Sequence, residues 1–413
     1  MENEHIVTDD YNEIIQRLPF SRKLLYGIGH VLNDICASMW FTYLLVFFHL
    51  VLGFNSISAG VILLIGQIAD ALATPFVGFY SDNDDNFGLC KYGRRKTWHL
   101  IGTLCILFAF PFIFSHCIGC ETSHEWAQLI YYAAFVIIFQ FGWAAVQISH
   151  LSLVPELTPS EYERTELIAI RNSRTVLVLL KDVQLYQVAC IYMPTRLFVN
   201  LSQIYIPLYL HKSLNMPATS LATIPLIMYL SSFVMSLIIE KLNTKLGRKI
   251  SYCFGVLLGV CACIWIQLGT GLTYTKYQIY PISLILGSAG SIMLVTSLGV
   301  TADFIGQNVN SGAFVYGIMS FTDKLCNGLA VMLIQYLSSW IDCENYYKSV
   351  LVYVCATSAM FGLLMILCIK PFHHNSVYNT LHSEQTIEHD NVFITTETIE
   401  NEPDNLISQE NVT

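Results

Sequence analysis

Charged residues are scarce in this 413-residue sequence, where they make up 12% of the chain against 54% hydrophobic residues. A soluble domain needs a larger polar fraction to cover its surface, so this balance excludes an ordinary soluble protein and indicates an integral membrane protein. The first twenty residues, MENEHIVTDDYNEIIQRLPF, also lack the basic and apolar pattern of a secretory signal peptide. We therefore expect insertion to depend on the first membrane-spanning helix.

Motifs of soluble enzymes are missing as well. The sequence contains no phosphate-binding G-x-x-x-x-G-K-[ST] loop, no H-E-x-x-H and no G-x-S-x-G. We expect no enzymatic activity, no cofactor and no metal site. Most of the thirteen cysteines stand singly in apolar segments, which is typical of small core residues. Cys117, Cys120 and Cys343 lie instead in predicted extracytosolic loops, where a disulfide forms if the compartment is not strongly reducing.

The net charge of −9 originates in the two ends of the chain. The tail from Pro371 onward carries eight acidic residues and no Lys or Arg, and residues 1–20 carry five acidic residues against Arg17. Without these ends the membrane body is slightly basic. The overall acidity therefore says nothing about the substrate.

Ten apolar segments have the length of a membrane span, which is roughly 20 residues for a hydrocarbon core of about 30 Å. They predict an all-α polytopic protein with spans near residues 24–52, 57–79, 97–115, 128–154, 184–210, 218–239, 250–270, 278–300, 312–338 and 348–369. Sixteen Lys and Arg residues fall on the side of the N-terminus and three on the other. The positive-inside rule therefore predicts that both termini are cytosolic.

One charged unit occurs twice. An acidic residue at a predicted helix end is followed by G-R-R-K after the second span and by G-R-K after the sixth. We expect these residues to close the cytosolic face through salt bridges and helix-end contacts: Asp82, Gly93, Arg94, Arg95, Lys96, Glu240, Gly247, Arg248 and Lys249. A second repeated pattern is shared by SLVPEL and SLGVTADFIG. Such internal repeats are typical of transporters built from two halves.

Longer strings carry a closer resemblance. GHVLNDICASMWFTYLL, GQIADALATPFVG, KYGRRKTWHLIGT and NSGAFVYGIMSFTDKLCNGLAV occur in this order along the chain. The sequence resembles the major facilitator superfamily and, within it, the family of major facilitator superfamily domain-containing protein 12, near the glycoside-pentoside-hexuronide:cation symporters. The resemblance implies a carrier of lysosomes and melanosomes that is needed for cysteine import. Carbohydrate:cation symport, as in the wider branch, is the alternative.

One departure from the family is large, because the family has twelve spans. Its fifth and sixth helices are missing here, with a junction near residues 174–181. We expect a cytosolic tail at 1–23, an incomplete four-helix bundle at 24–176, a six-helix bundle at 184–369 and a disordered cytosolic tail at 370–413. A membrane protein that no longer transports is therefore a further hypothesis.

Acidic residues inside the spans are the first candidates for function, since charges at bilayer depth are costly and face a partner or a cavity. By the resemblance, Asp34 and Asp70 align with the acids that bacterial melibiose carriers use for the substrate and the coupling cation. Thr74 replaces the second cation-site acid, and Gln147 and Leu151 replace the sugar-holding Asp and Trp. This pattern favours a small solute other than a sugar, with a proton rather than Na⁺ at Asp70.

Basic residues inside the spans complete the set. Lys324, beside Asp323, aligns with a lysine near the cation site, so we expect an Asp70–Lys324 pair that makes and breaks; solvation at a cavity mouth is the alternative. Arg196, with Asn200 and Gln203 nearby, suits a substrate carboxylate or a structural bridge to Asp34 or another acid. Asn33, beside Asp34, joins the substrate candidates. His30 and His150, near span ends, are expected to be singly placed and to have a hydrogen-bonded structural role, with titration as the alternative.

The C-terminal tail carries two patterns of sorting signals. YNTL has the tyrosine-based form at Tyr378 and Leu381, and EPDNLI has the acidic dileucine form at Glu402, Leu406 and Ile407. They predict sorting adaptors as partners and a lysosomal or late endosomal membrane, with the plasma membrane as the alternative. The other expected partners are the lipid bilayer, a small solute and H⁺, and no nucleic acid.

Overall fold

The computed structural model describes residues 20–82, 94–120, 122–152, 183–305, 312–341, 343 and 345–369, and these residues form ten long helices without a strand. The helices are α1 (Phe20–Val46, continued by a π-helical turn at Phe47–Val51), α2 (Ser56–Asp82), α3 (Arg94–Ile113), α4 (Glu125–Ser152), α5 (Val183–Lys212), α6 (Ala218–Leu246), α7 (Arg248–Leu268), α8 (Ile279–Ile305, preceded by a π-helical turn at Tyr274–Gln278), α9 (Gly312–Ser338) and α10 (Tyr346–Cys368, with a π-helical turn at Val350–Val354). The predicted all-helical, polytopic architecture is confirmed.

Nine of the helices in the described residues are long and apolar enough to cross a membrane. The remaining long helix, α5, has 30 residues but carries Arg196, Asn200 and Gln203 among its apolar side chains. Its length suits a span although its composition does not. The polar residues of α5 therefore need partners inside the protein.

The helices pack as two groups. Within α1–α4, α4 packs against both α2 and α3; within α5–α10, α8 packs against α6 and α7, and α5 packs against α10. The groups meet where α2 runs along α9 and where α1 contacts α5. Two glycines allow the α2–α9 approach, since a Cβ on Gly60 would lie 2.9 Å from Cβ of Gln335 and one on Gly328 would lie 3.0 Å from Cβ of Gln67.

The connection between α6 and α7 is shorter than the sequence predicts. Glu240 does not end its helix, because EKLNTKL continues the helix to Leu246 and only Gly247 interrupts it. Gly247 has φ 81° and ψ 156°, a conformation that other residues rarely adopt. The side chain of Glu240 is exposed. The prediction that the helix ends at Glu240 is therefore wrong, because the helix ends six residues later, at Leu246.

The basic residues after Gly247 make contacts within the α5–α10 group. Arg248 forms a double ion pair with Asp303 at the end of α8, with Nη2 2.6 Å from Oδ1. Lys249 donates to the carbonyl oxygen of Ile369 at the end of α10, at 2.6 Å. Both contacts lie within one helix group, so closure of the cytosolic face by these residues stays a prediction. In the other copy of the unit, Arg95 is half-buried and Lys96 is exposed. Gly93 and the side chains of Asp82 and Arg94 lie outside the described part.

Candidate transport pathway

A cavity of about 330 Å³ lies between α1, α5, α6 and α8. Its volume is at the lower end of the range for small-molecule sites. Its apolar walls include Phe41, Val199, Met228 and Leu286. Its polar side chains are Asp34, Ser38, Arg196, Asn200, Ser202, Gln203, Tyr229, Ser232 and Ser291. The cavity thus combines one acidic and one basic group with hydroxyls and amides.

Four of the six predicted substrate residues line this cavity: Asp34, Arg196, Asn200 and Gln203. Asn33 does not, because its side chain points into the protein, where Nδ2 lies 3.3 Å from Nε2 of His30. Gln147 on α4 is half-buried away from the cavity, and the side chain of Leu151 is outside the described part. The hydroxyls on α6 and α8 were missed, since serines in apolar spans carry no distinctive signal.

Asp34 sits at the edge of the cavity with 69% of its side chain exposed, and its Oδ1 lies 2.9 Å from Nδ1 of His30. Three histidines gather behind it: the ring centroid of His150 is 4.8 Å from that of His30 and 6.1 Å from that of His99. Tyr26 stacks on His150 at 3.9 Å. The expectation that His30 and His150 stand singly is therefore wrong, because α1, α3 and α4 converge here.

The second charged cluster joins α2 to α9. Nζ of Lys324 lies 2.6 Å from Oδ1 of Asp70 and 2.7 Å from Oγ1 of Thr74. The side chains of Asp70 and Lys324 are 1% and 12% exposed. The alternative of solvation at a cavity mouth is therefore wrong for Lys324. The Oδ2 atom of Asp70 is buried and has no hydrogen-bond partner among the described residues.

Arg196 is bridged to Asp323, not to Asp34. Its Nε lies 2.9 Å from Oδ2 of Asp323, whose side chain is 4% exposed. Asn327, one turn further along α9, donates from Nδ2 to Oδ1 of the same carboxylate and, at 2.9 Å, to the carbonyl oxygen of Asp323. Solvation is therefore also wrong for Asp323. Arg196 both lines the cavity and is held by a buried acid.

Direct contacts between the two helix groups lie beyond the cavity, toward the C-terminal end of α1. Oγ1 of Thr42 lies 2.7 Å from the hydroxyl of Tyr229, immediately beyond the cavity. Nearer the ends of the helices, Nε2 of His49 lies 3.1 Å from Oε1 of Gln335. By the predicted orientation this is the extracytosolic side.

Two further predictions concern cysteines and the tail. Cys117 and Cys120 are joined by a disulfide, with Cα atoms 5.4 Å apart, whereas Cys343 is free and exposed.

The described residues contain no group of three or more His, Cys, Asp or Glu arranged to hold a metal ion. The tail signals at Tyr378, Leu381, Glu402, Leu406 and Ile407 lie outside the described residues.

The class of the protein follows from its fold and from a family model. Residues 25–181 match the family described as "MFS/sugar transport protein". The structure superposes on a bacterial homologue of the iron transporter ferroportin in its inward-facing state, with a TM-score of 0.57 at 14% identity over 85% of this chain and 99% of that chain. This likeness concerns the fold alone. Together with a human relative of this superfamily that is 38% identical and aligns with 84% of this chain, these findings show that the chain is a multi-pass membrane transporter of the major facilitator superfamily.

The particular family follows from closer relatives. Human major facilitator superfamily domain-containing protein 12 is 38% identical over 447 residues, which cover 84% of this chain and 92% of the human protein. The chain belongs to that family, and the resemblance in the sequence is confirmed. More distantly, an uncharacterized symporter of Synechocystis is 32% identical over 158 residues, or 38% of this chain and 28% of the symporter.

The alignment with the human relative leaves part of that protein unmatched. The alignment extends over 447 positions, which is more than the 413 residues of this chain, yet it includes only 84% of those 413 residues. A sizeable part of the relative therefore has no counterpart here.

Proposed function

We propose that this chain is a proton-coupled carrier of a small zwitterion, cysteine or a closely related amino acid, in the membrane of lysosomes or related organelles. The observation that carries the proposal is the pairing of Asp70 with Lys324 at the boundary between the helix groups, next to a cavity with one acidic and one basic group.

The cavity suits a zwitterion. Asp34 offers a carboxylate to an α-ammonium group, while Arg196 and the amides of Asn200 and Gln203 offer donors to an α-carboxylate. The melibiose carriers, by the resemblance, hold their sugar with an acidic residue and a ring on the helix that corresponds to α4, where this chain has Gln147, which does not line the cavity. The small volume favours a solute of the size of an amino acid over a disaccharide.

Asp70 suits a proton. Lys324 and Thr74 both contact its side chain through Oδ1, while Oδ2 has no hydrogen-bond partner among the described residues. A carboxylate enclosed at bilayer depth is stable as an anion only while it is paired. Protonation of Asp70 would release Lys324, loosen the α2–α9 contact and favour the opposite access state.

The proposal of a lysosomal membrane is supported by the sorting-signal patterns in the tail and by the resemblance to the family. Tyr378 and Leu406 belong to two separate patterns of the kind that endosomal adaptors bind, on a tail predicted to be cytosolic.

The test is uptake of labelled cysteine into vesicles that contain the purified chain, with an imposed pH gradient. We expect accumulation that the gradient drives, that unlabelled sugars do not compete and that Asp70→Asn abolishes. Glu125→Gln is the matched control, since it neutralises an acidic residue at the outer end of α4 and leaves the pathway intact.

A chimera that carries the fifth and sixth helices of the human relative near residues 174–181 completes the design. Uptake by the chimera but not by this chain would show that this chain has lost transport. Gradient-driven uptake by Asp70→Asn would contradict proton coupling at Asp70. Competition by sugars would favour carbohydrate symport instead.

A further inference from the structure

Two largely buried ion pairs meet at consecutive residues of α9. Lys324 reaches Asp70 on α2, in the first helix group, with Nζ 2.6 Å from Oδ1. Asp323 reaches Arg196 on α5, in the second group, with Oδ2 2.9 Å from Nε. One of the four residues, Arg196, also lines the cavity. Helix α9 therefore connects the buried carboxylate of Asp70 to a cavity-lining guanidinium.

The four charges form a neutral set of two acids and two bases. Among the described residues, the charges that act on Asp70 are those of Lys324 and Asp323 on α9, and Arg196 on α5 lies within electrostatic range of Asp70 as well. Thr74, on the same helix as Asp70, adds a hydroxyl. Loss of one charge in such a buried set leaves another uncompensated, which favours an exchange of partners.

We propose that Asp323 is a positioning residue that passes the state of Asp70 to the cavity. While Asp70 is ionised, it holds Lys324, and Asp323 holds Arg196. When Asp70 takes up a proton, the ammonium group of Lys324 loses its partner and turns to the carboxylate of Asp323. Arg196 is then released to bind the carboxylate of the solute. This inference rests on the proposed function. It adds a physical link between protonation of Asp70 and binding of the solute by Arg196.

The exchange makes the two ligands cooperative. A proton on Asp70 raises the affinity for a solute carboxylate by freeing Arg196, and a bound solute raises the affinity for the proton to the same extent, because the coupling is reciprocal. Solute and proton therefore bind together, as symport requires.

The exposure of Arg196 is tested without any transport. The purified full-length chain is treated with phenylglyoxal, which modifies guanidinium groups, at a single pH, and the modification of Arg196 is followed by mass spectrometry. We expect Asp70→Asn to speed this reaction several-fold, because Lys324 then competes for Asp323. Adding Lys324→Gln removes the competitor and should return the rate to that of the wild type, while Glu125→Gln should leave it unchanged.

Equal rates in Asp70→Asn and the wild type, with both proteins monodisperse, would overturn the exchange. Asp70→Ser provides a second neutral side chain for the case in which the Asn variant does not fold. If the labelling behaves as expected but no cysteine uptake occurs, the exchange stands and the proposed function fails. If uptake depends on the gradient but the labelling does not change, the exchange fails and the proposed function stands.

A kinetic measurement separates positioning from a merely structural role. In the wild type, KM for cysteine should fall by about fivefold or more on acidification, which is the lower end of typical coupling between two sites. In Asp323→Asn, Arg196 is free at every pH, so KM should not change with pH. A KM that keeps its pH dependence in this variant contradicts the proposal.

Discussion

Nζ of Lys324 lies 2.6 Å from Oδ1 of Asp70, although 254 residues separate the two in the chain. This contact joins α9 to α2 and thereby the second helix group to the first. It replaces hydration for both charges, since both side chains are almost fully enclosed. The pair is therefore a structural bond between the groups as well as the proposed proton site.

Lys324→Met should destabilise the protein strongly. The substitution leaves the buried carboxylate of Asp70 without a charged partner, which typically costs about 3–5 kcal/mol. The double variant Asp70→Asn with Lys324→Met removes both charges and should recover most of the loss. Thermal unfolding in detergent measures both variants. Equal melting temperatures for the single variant and the wild type would show that the pair does not stabilise the fold.

Gly247→Ala should loosen the link between α6 and α7. The residue has φ 81° and ψ 156°, and holding a residue other than glycine in such a conformation costs about 1–3 kcal/mol. Gly27→Ala is the matched control, because this helical glycine has no heavy atom within 4 Å of an added Cβ. Unfolding temperatures should fall for the first variant and stay level or rise for the second.

Gly287→Ala should disturb the cavity itself. An added Cβ would lie 2.1 Å from the carbonyl oxygen of Met228, so α8 and α6 have to move apart, and overpacking of this kind typically costs about 1–3 kcal/mol. Cysteine uptake should fall together with thermal stability. Gly317→Ala, where an added Cβ meets nothing within 4 Å, should preserve both. Unchanged uptake in Gly287→Ala would mean that this wall does not shape the pathway.

Tyr229→Phe should favour opening toward the extracytosolic side. It removes the hydrogen bond to Thr42, a contribution of about 0.5–1.5 kcal/mol to the closed state. A membrane-impermeant maleimide, applied from that side to a chain with Ser38→Cys in the cavity, should react faster in the variant. Tyr277→Phe, at an exposed tyrosine, is the control. Equal labelling rates would place the barrier elsewhere.

The loop cysteines test the predicted orientation. Alkylation without reduction should spare Cys117 and Cys120, which are joined, and modify Cys343, which is free and exposed. An impermeant maleimide should reach Cys343 only from the extracytosolic side. Labelling of Cys343 from the cytosolic side would reverse the assigned topology.

The membrane spans were predictable because a bilayer requires long apolar segments. The bounds of α1–α10 agree with the predicted segments to within a few residues, except at one helix end. That place is the end of α6, where Glu240 and the residues after it are as compatible with a helix as with a loop. Only Gly247 carries a signal that ends the helix. Local sequence therefore located the break but not the absence of a loop.

The candidate site was predictable in part. The cost of a charge at bilayer depth marked Asp70 and Lys324 as residues that need partners, and the resemblance to the melibiose carriers implied that they pair with each other. Nothing local chooses Asp323 over Asp34 as the partner of Arg196, because that choice depends on how α9 and α5 pack. The gathering of His99 with His30 and the hydroxyls of α6 in the cavity have the same origin in tertiary packing.

The polar character of α5 has a consequence for how the chain is made. Because α5 falls short of the hydropathy of the other nine long helices, we expect it to enter the bilayer less readily on its own as it leaves the ribosome. The guanidinium of Arg196 meets its carboxylate only after another 127 residues have been synthesised. We therefore expect α5 to reach its final place in the membrane only after α9 has been made.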